Sequence, residues 1–67
     1  MQANGSAIRA LRVAHRIGIR GLADSAKVHR TYLSRLERGQ RGATDETIIR
    51  IAEALAVPVE AITRDAA

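Results

Sequence analysis

The chain has 67 residues, no cysteine and a formal net charge of +4, so it holds one domain at most, and neither a disulfide nor a thiolate metal site can support a core that is marginal at this size. No run reaches the ~18 apolar residues of a membrane span and no basic-then-apolar leader opens the chain, so a soluble protein of the reducing cytoplasm with no membrane role is expected. Residues 1–41 carry nine cations against two acids and residues 42–67 two against five, an asymmetry that suits a polyanionic partner for the first part and a different task for the second.

In chain order the apolar pattern is helical and no segment reads as a strand. The ends "MQANG" and "RDAA" are expected to fray, leaving a single domain over 1–67 with its core at about 6–63. Ile8, Leu11, Ala14 and Ile17 form the stripe of a first helix at about 6–16, capped by Ser6 or Asn4. A second helix at about 19–26 follows Gly18 and buries Leu22, Ala23 and Ala26. The third lies in "VHRTYLSRLERG", residues 28–39. After the loop "GQRGAT", Thr44 caps a fourth helix with Asp45 and Glu46 in its first turn, where the macrodipole favours acids, and Ile48, Ile51, Ala52 and Leu55 on its inner stripe. Pro58 opens a final turn, "PVEAIT", that buries Val59 and Ile62.

Helix three carries the chemistry. At about 100° per residue, with Arg30 at zero, Thr31, Ser34, Arg35 and Arg38 fall within about 0–140°, whereas Tyr32, Leu33 and Leu36 fall at about 200–300°. One side therefore docks on the protein and the other presents three guanidiniums and two hydroxyls, with Glu37 at the border. An ordinary solvent face mixes signs. A face made of donors and cations suits the DNA major groove, where phosphates need charge and base edges need donors. Ten of the eleven cations are arginine, the side chain fitted to bidentate contact with phosphate and guanine.

At these residues the chain resembles the lambda-repressor-like helix-turn-helix domains, the xenobiotic-response-element/Cro group. The resemblance covers about residues 8–63, through "LADSAKVHRTYLSRLERGQRGATDETIIRIAEALAVPVEAI", with Ala23, Leu33, Leu36, "YLSRLERG" and "TIIRIAEALAVP" as its landmarks. It implies an all-α bundle of five helices, with helix two crossing the DNA backbone and helix three entering the major groove. Carried over, Arg30, Thr31 and Arg35 match positions that touch base edges, and Ser34, Arg38 and Arg41 are read as phosphate contacts, joined by Arg20 beside the start of helix two. The family's Arg–Glu pair between helices one and three maps to Arg12 and Glu37. Three positions depart from the pattern. Ile19 replaces a glutamine that clamps the DNA backbone. Lys27 replaces a turn glycine, so it holds left-handed backbone or turns its charge to a phosphate. Gly21 sits inside helix two.

The resemblance implies a sequence-specific regulator of double-stranded DNA, a repressor bound as a homodimer to an inverted repeat, with no enzymatic chemistry and no cofactor. Val57, Val59 and Ile62 are either ordinary core or the dimer contact. The alternative is an antitoxin or anti-regulator whose main partner is another protein, favoured by the acidic second part. Tyr32 reads as a core wedge with its hydroxyl at the edge, with a phosphate hydrogen bond as the sharper option. His29 reads as a cap or surface histidine, with a DNA contact as the sharper option. His15 and His29, with no cysteine or carboxylate cluster beside them, make no metal site.

Overall fold

The structure, a computed structural model, runs β1 (Gln2–Ala3), α1 (Gly5–Ala14), α2 (Ile19–Ala26), α3 (Arg30–Glu37), α4 (Asp45–Leu55), a 3-10 turn (Val59–Ile62) and β2 (Thr63–Arg64). It describes residues 1–64; the last three residues of the expected frayed end lie outside the described residues. All four helices start from a residue in extended backbone, and three of these supply a side-chain cap. Asn4 accepts from the Ala7 amide, His29 from Thr31 and Thr44 from Thr47, whereas Gly18 ahead of α2 offers nothing.

Each helix stops in left-handed backbone, at Arg16, Lys27, Gly39 and Ala56. In each case the next amide reaches back to a carbonyl of the last turn: Ile17 to Arg12, Val28 to Ala23, Gln40 to Arg35 and Val57 to Ala52, at 2.9–3.0 Å. Only one of the four is a glycine. At the other three a side chain tolerates a conformation that costs about 1 kcal/mol, offset by the carbonyls it satisfies. The turn at Arg16 ends α1 at Ala14, earlier than the periodicity implies, and Ala14 faces solvent rather than the core, because each step of three residues drifts about 60° around the helix from Ile8.

The core gathers Ile8 from α1, Leu22, Ala23 and Ala26 from α2, Leu33 and Leu36 from α3, four residues of α4 and Ile62. Helix α2 packs on α3 and α4, α1 packs on α3, and the 3-10 turn closes over α1 and α4. The expected fifth helix is this four-residue turn. Pro58 has no amide to donate, the turn is closed from Ala61 to the Pro58 carbonyl at 3.0 Å, and the Thr63 hydroxyl takes up the Val59 carbonyl at 3.1 Å. The chain then straightens into β2, which pairs antiparallel with β1, Gln2 opposite Arg64 and Ala3 opposite Thr63. The expectation of no strand and a frayed start is corrected by this pairing. It is extended by the Asn4 amide donating to the Ile62 carbonyl at 2.8 Å and by Arg64 donating to the Asn4 side chain at 3.2 Å. Two residues per strand are too few for alternation to register.

Gly21 is exposed inside α2, and a Cβ built there would meet only the Ile17 Cγ2 atom, at 3.5 Å. Gly21→Ala is therefore expected to stabilise the free protein by about 0.5–1 kcal/mol. A lower thermal midpoint than the parent's would contradict this.

Candidate nucleic-acid interface

Helices α2 and α3 are joined through Lys27 and Val28, with Lys27 left-handed at φ 58°. Leu33 and Leu36 anchor α3 in the core, while Tyr32 lies half-buried at its edge. The Tyr32 hydroxyl donates to the Gly42 carbonyl at 2.8 Å, and the Arg41 guanidinium sits over its ring, 5.7 Å from the centroid. The tyrosine thus holds the 39–43 loop against α3 and keeps Arg41 beside the helix.

The only acid of α3 is consumed internally. Arg12 of α1 donates from Nε to Glu37 Oε2 at 2.7 Å and from a terminal nitrogen to Oε1 at 3.0 Å, while its other terminal nitrogen donates to the Ile17 carbonyl at 3.0 Å. The Glu37 side chain is 4% exposed and that of Arg12 15%. The hydrogen bond to Glu37 raises the Arg12 pKa, against the pull of burial and with help from the carboxylate charge. One bidentate pair therefore ties α1, the turn after it and α3 together, and removes the negative charge from the outer side of α3.

What remains outside is cationic. Arg30, Thr31, Arg35 and Arg38 are exposed and Ser34 is half-buried. Among the described residues none of the three guanidiniums has an ion-pair partner. Arg30, Thr31, Ser34 and Arg38 line an open cleft of about 1190 Å³ between α3, α1 and the start of α2, to which Arg9, Val13 and Ile19 also contribute. A smaller cleft of about 280 Å³ lies on the other side of Arg30, between Arg20 and Asp24 of α2 and His29. Arg30 stands between the two, and Arg35 lies outside both. Lys27 and Arg41 are exposed at opposite ends of α3.

Residues 8–62 match the family described as helix-turn-helix. The chain belongs to the lambda-repressor-like helix-turn-helix family. It is 34% identical over 62 residues to the transcriptional regulator ClgR of Mycobacterium tuberculosis, an alignment that takes in 92% of this chain and 55% of the relative. The chain thus spans about half the length of the curated relatives it matches. Among solved structures, the restriction-modification controller protein C.AhdI from Aeromonas hydrophila superposes with a TM-score of 0.83 at 32% identity, over 85% of this chain and 86% of that one. The clp gene regulator ClgR from Corynebacterium glutamicum gives 0.80 at 34%, over 84% and 73%. The wild-type controller protein C.Esp1396I gives 0.76 at 28%, over 81% and 71%.

Within this helix-turn-helix, two arginines take roles that sequence reasoning missed. Arg9 shares the larger cleft with Arg30 and Arg38, and its only signal is a helical position next to the buried stripe of α1. Arg50 is spent inside the fold. Its Nε donates to the Ala26 carbonyl at the end of α2 at 3.0 Å, and a terminal nitrogen donates to Glu46 at 3.0 Å. The candidate dimer set needs one correction: Ile62 is fully buried in the core of its own chain, so it has no surface to offer a second copy. Val57 and Val59 are half-buried. No helix among the described residues is long and apolar enough to cross a membrane.

Proposed function

We propose that the chain is a sequence-specific regulator of transcription, a repressor that binds double-stranded DNA as a homodimer on an inverted repeat. The observation that carries the reading is the cationic side of α3, without an ion-pair partner among the described residues and cleared of its one acid by Arg12. Arg30 and Arg35 read guanine edges and Thr31 a thymine methyl or a phosphate, while Arg20, Lys27, Ser34, Arg38 and Arg41, with Arg9, hold the sugar-phosphate backbone. The half-buried Val57 and Val59 belong to the contact with the second copy. Two half-sites about one helical turn apart multiply the discrimination that one short helix supplies.

The test is a binding titration on duplexes selected from a random pool. Arg30→Ala and Arg35→Ala are each expected to cost about 1–3 kcal/mol and to relax preference at particular base pairs, whereas Arg41→Ala weakens all sequences alike and lowers the salt slope by about 1. A uniform loss in all three variants would remove the base-reading assignment. Wild-type binding no tighter than to random DNA would remove the specific function.

A second reading, an antitoxin or anti-regulator bound mainly to another protein, draws on α4. Ile49 there is 43% exposed and has Asp45, Glu46 and Glu53 one turn away on either side. A stoichiometric protein partner that is released by Ile49→Ser, with DNA binding unchanged, would favour it.

A further inference from the structure

Helix α2 has little local support. Its first turn carries Arg20 and no acid, its last turn carries Asp24 and no base, and Gly18 ahead of it offers no side-chain cap. Both charges oppose the helix macrodipole, and only Lys27, the next residue, supplies a local cation at the end. The peptide that joins Ala26 to Lys27 is instead held from two sides. The Lys27 amide donates to the Asp24 carbonyl at 3.2 Å, and the Ala26 carbonyl accepts from Nε of Arg50 on α4 at 3.0 Å. Here the chain enters left-handed backbone, with φ 58° and ψ 43° at Lys27, so the plane of this peptide helps set the direction in which α3 leaves α2.

Arg50 is itself fixed. Its terminal nitrogens donate to Glu46 at 3.0 Å and, at a longer 3.4 Å, to the Thr47 hydroxyl, which also accepts from Thr44, the cap of α4, at 3.0 Å. We infer that Arg50 is a positioning residue for DNA binding: its bond to the Ala26 carbonyl keeps the turn at Lys27 in the conformation that presents α2 and α3 together. The inference rests on the DNA-binding function above. Lys27 makes the bond necessary, because a residue with a Cβ is strained in left-handed backbone where a glycine is not. Without Arg50 the turn relaxes and fewer molecules are ready to bind. Affinity then falls by that share, whatever the DNA sequence and whatever the salt.

The experiment compares the full chain with Arg50→Met, which keeps the apolar stem and removes the donors, at several salt concentrations. The probes are the duplex that the wild-type protein selects from a random pool and single-base variants of it. Arg50→Met is expected to bind about tenfold more weakly on every duplex, as a fall of the competent share to about one tenth implies, and to keep the wild-type salt slope. Loss of a phosphate contact instead lowers that slope by about 1, and loss of a base contact spares some variants. In the free protein, amide hydrogen exchange is expected to rise about tenfold at Lys27 and Val28 and clearly less at Ala56 and Val57, which close the same kind of turn on the helix that carries Arg50. Equal affinity of Arg50→Met and a tightly binding wild type overturns this role alone, as does a lowered salt slope or a loss confined to one base pair. Exchange that rises alike in both turns, or an Arg50→Met chain that does not fold, also overturns it, because the residue then serves the whole fold. A wild-type chain that selects no duplex overturns the DNA-binding function, and this role with it.

Discussion

Gly5→Ala is expected to destabilise the protein by about 3 kcal/mol or more, enough to leave a domain of this size largely unfolded. Gly5 is the first residue of α1 and is buried where that helix meets the end of α3. A Cβ built on it overlaps the Leu36 carbonyl oxygen and comes within 2.9 Å of the Glu37 carbonyl oxygen. Both obstacles are backbone atoms. The Leu36 carbonyl also accepts the Gly39 amide, at 3.1 Å, in the turn that ends α3, so no rotamer change relieves the overlap. Either α1 lifts away from α3 or the end of α3 distorts. Gly42→Ala is the control, because a Cβ there meets nothing within 4 Å. Thermal and denaturant melts of the two variants decide the matter: equal midpoints would show that the helices do not approach as closely as described.

Glu37→Ala is expected to cost about 3 kcal/mol or more in the absence of DNA, because it leaves the largely buried Arg12 guanidinium without its carboxylate. Arg12 has no easy escape by losing its proton. In the parent protein Glu37 raises its pKa, so the pair's stabilisation is fully present below the ordinary arginine range and is lost only as pH climbs beyond it; in the variant burial acts alone, and a guanidinium still stays charged at neutral pH. A melt taken anywhere near neutrality should therefore show the full penalty. Arg12→Leu combined with Glu37→Leu should recover much of it, since an apolar pair strands no charge. If the double variant is no more stable than Glu37→Ala, the loss lies in packing around α3 and not in the stranded guanidinium.

These two variants probe opposite kinds of information. Glu37 is legible in the sequence, through the lambda-repressor-like resemblance, as the partner of Arg12. Gly5 is not, because a glycine shows in sequence only what it lacks. Its reason for being there is the distant backbone of Leu36 and Glu37. Arg50 counts in the sequence only as one more positive charge, yet its Nε closes the end of α2, 24 residues earlier. Arg9 joins Arg30 and Arg38 only once α1 is laid across α3.

Features that depend on near neighbours along the chain can be read directly from the order of residues. The two sides of α3 follow from rotation per residue, the Thr44 cap from a hydroxyl three residues ahead of an amide, and the concentration of cations in residues 1–41 from simple counting. Where the chain closes on itself is settled only by packing in three dimensions. Ile62 goes to the core and away from any dimer contact because the 3-10 turn folds onto α1 and α4. The two ends become a sheet because β2 arrives beside β1 from the far end of the chain, where amides and carbonyls that would otherwise face water find one another. Local pattern carries helix, cap and charge. Contact between distant segments is set by shape and by the need to satisfy backbone groups, and neither leaves a periodic trace in sequence.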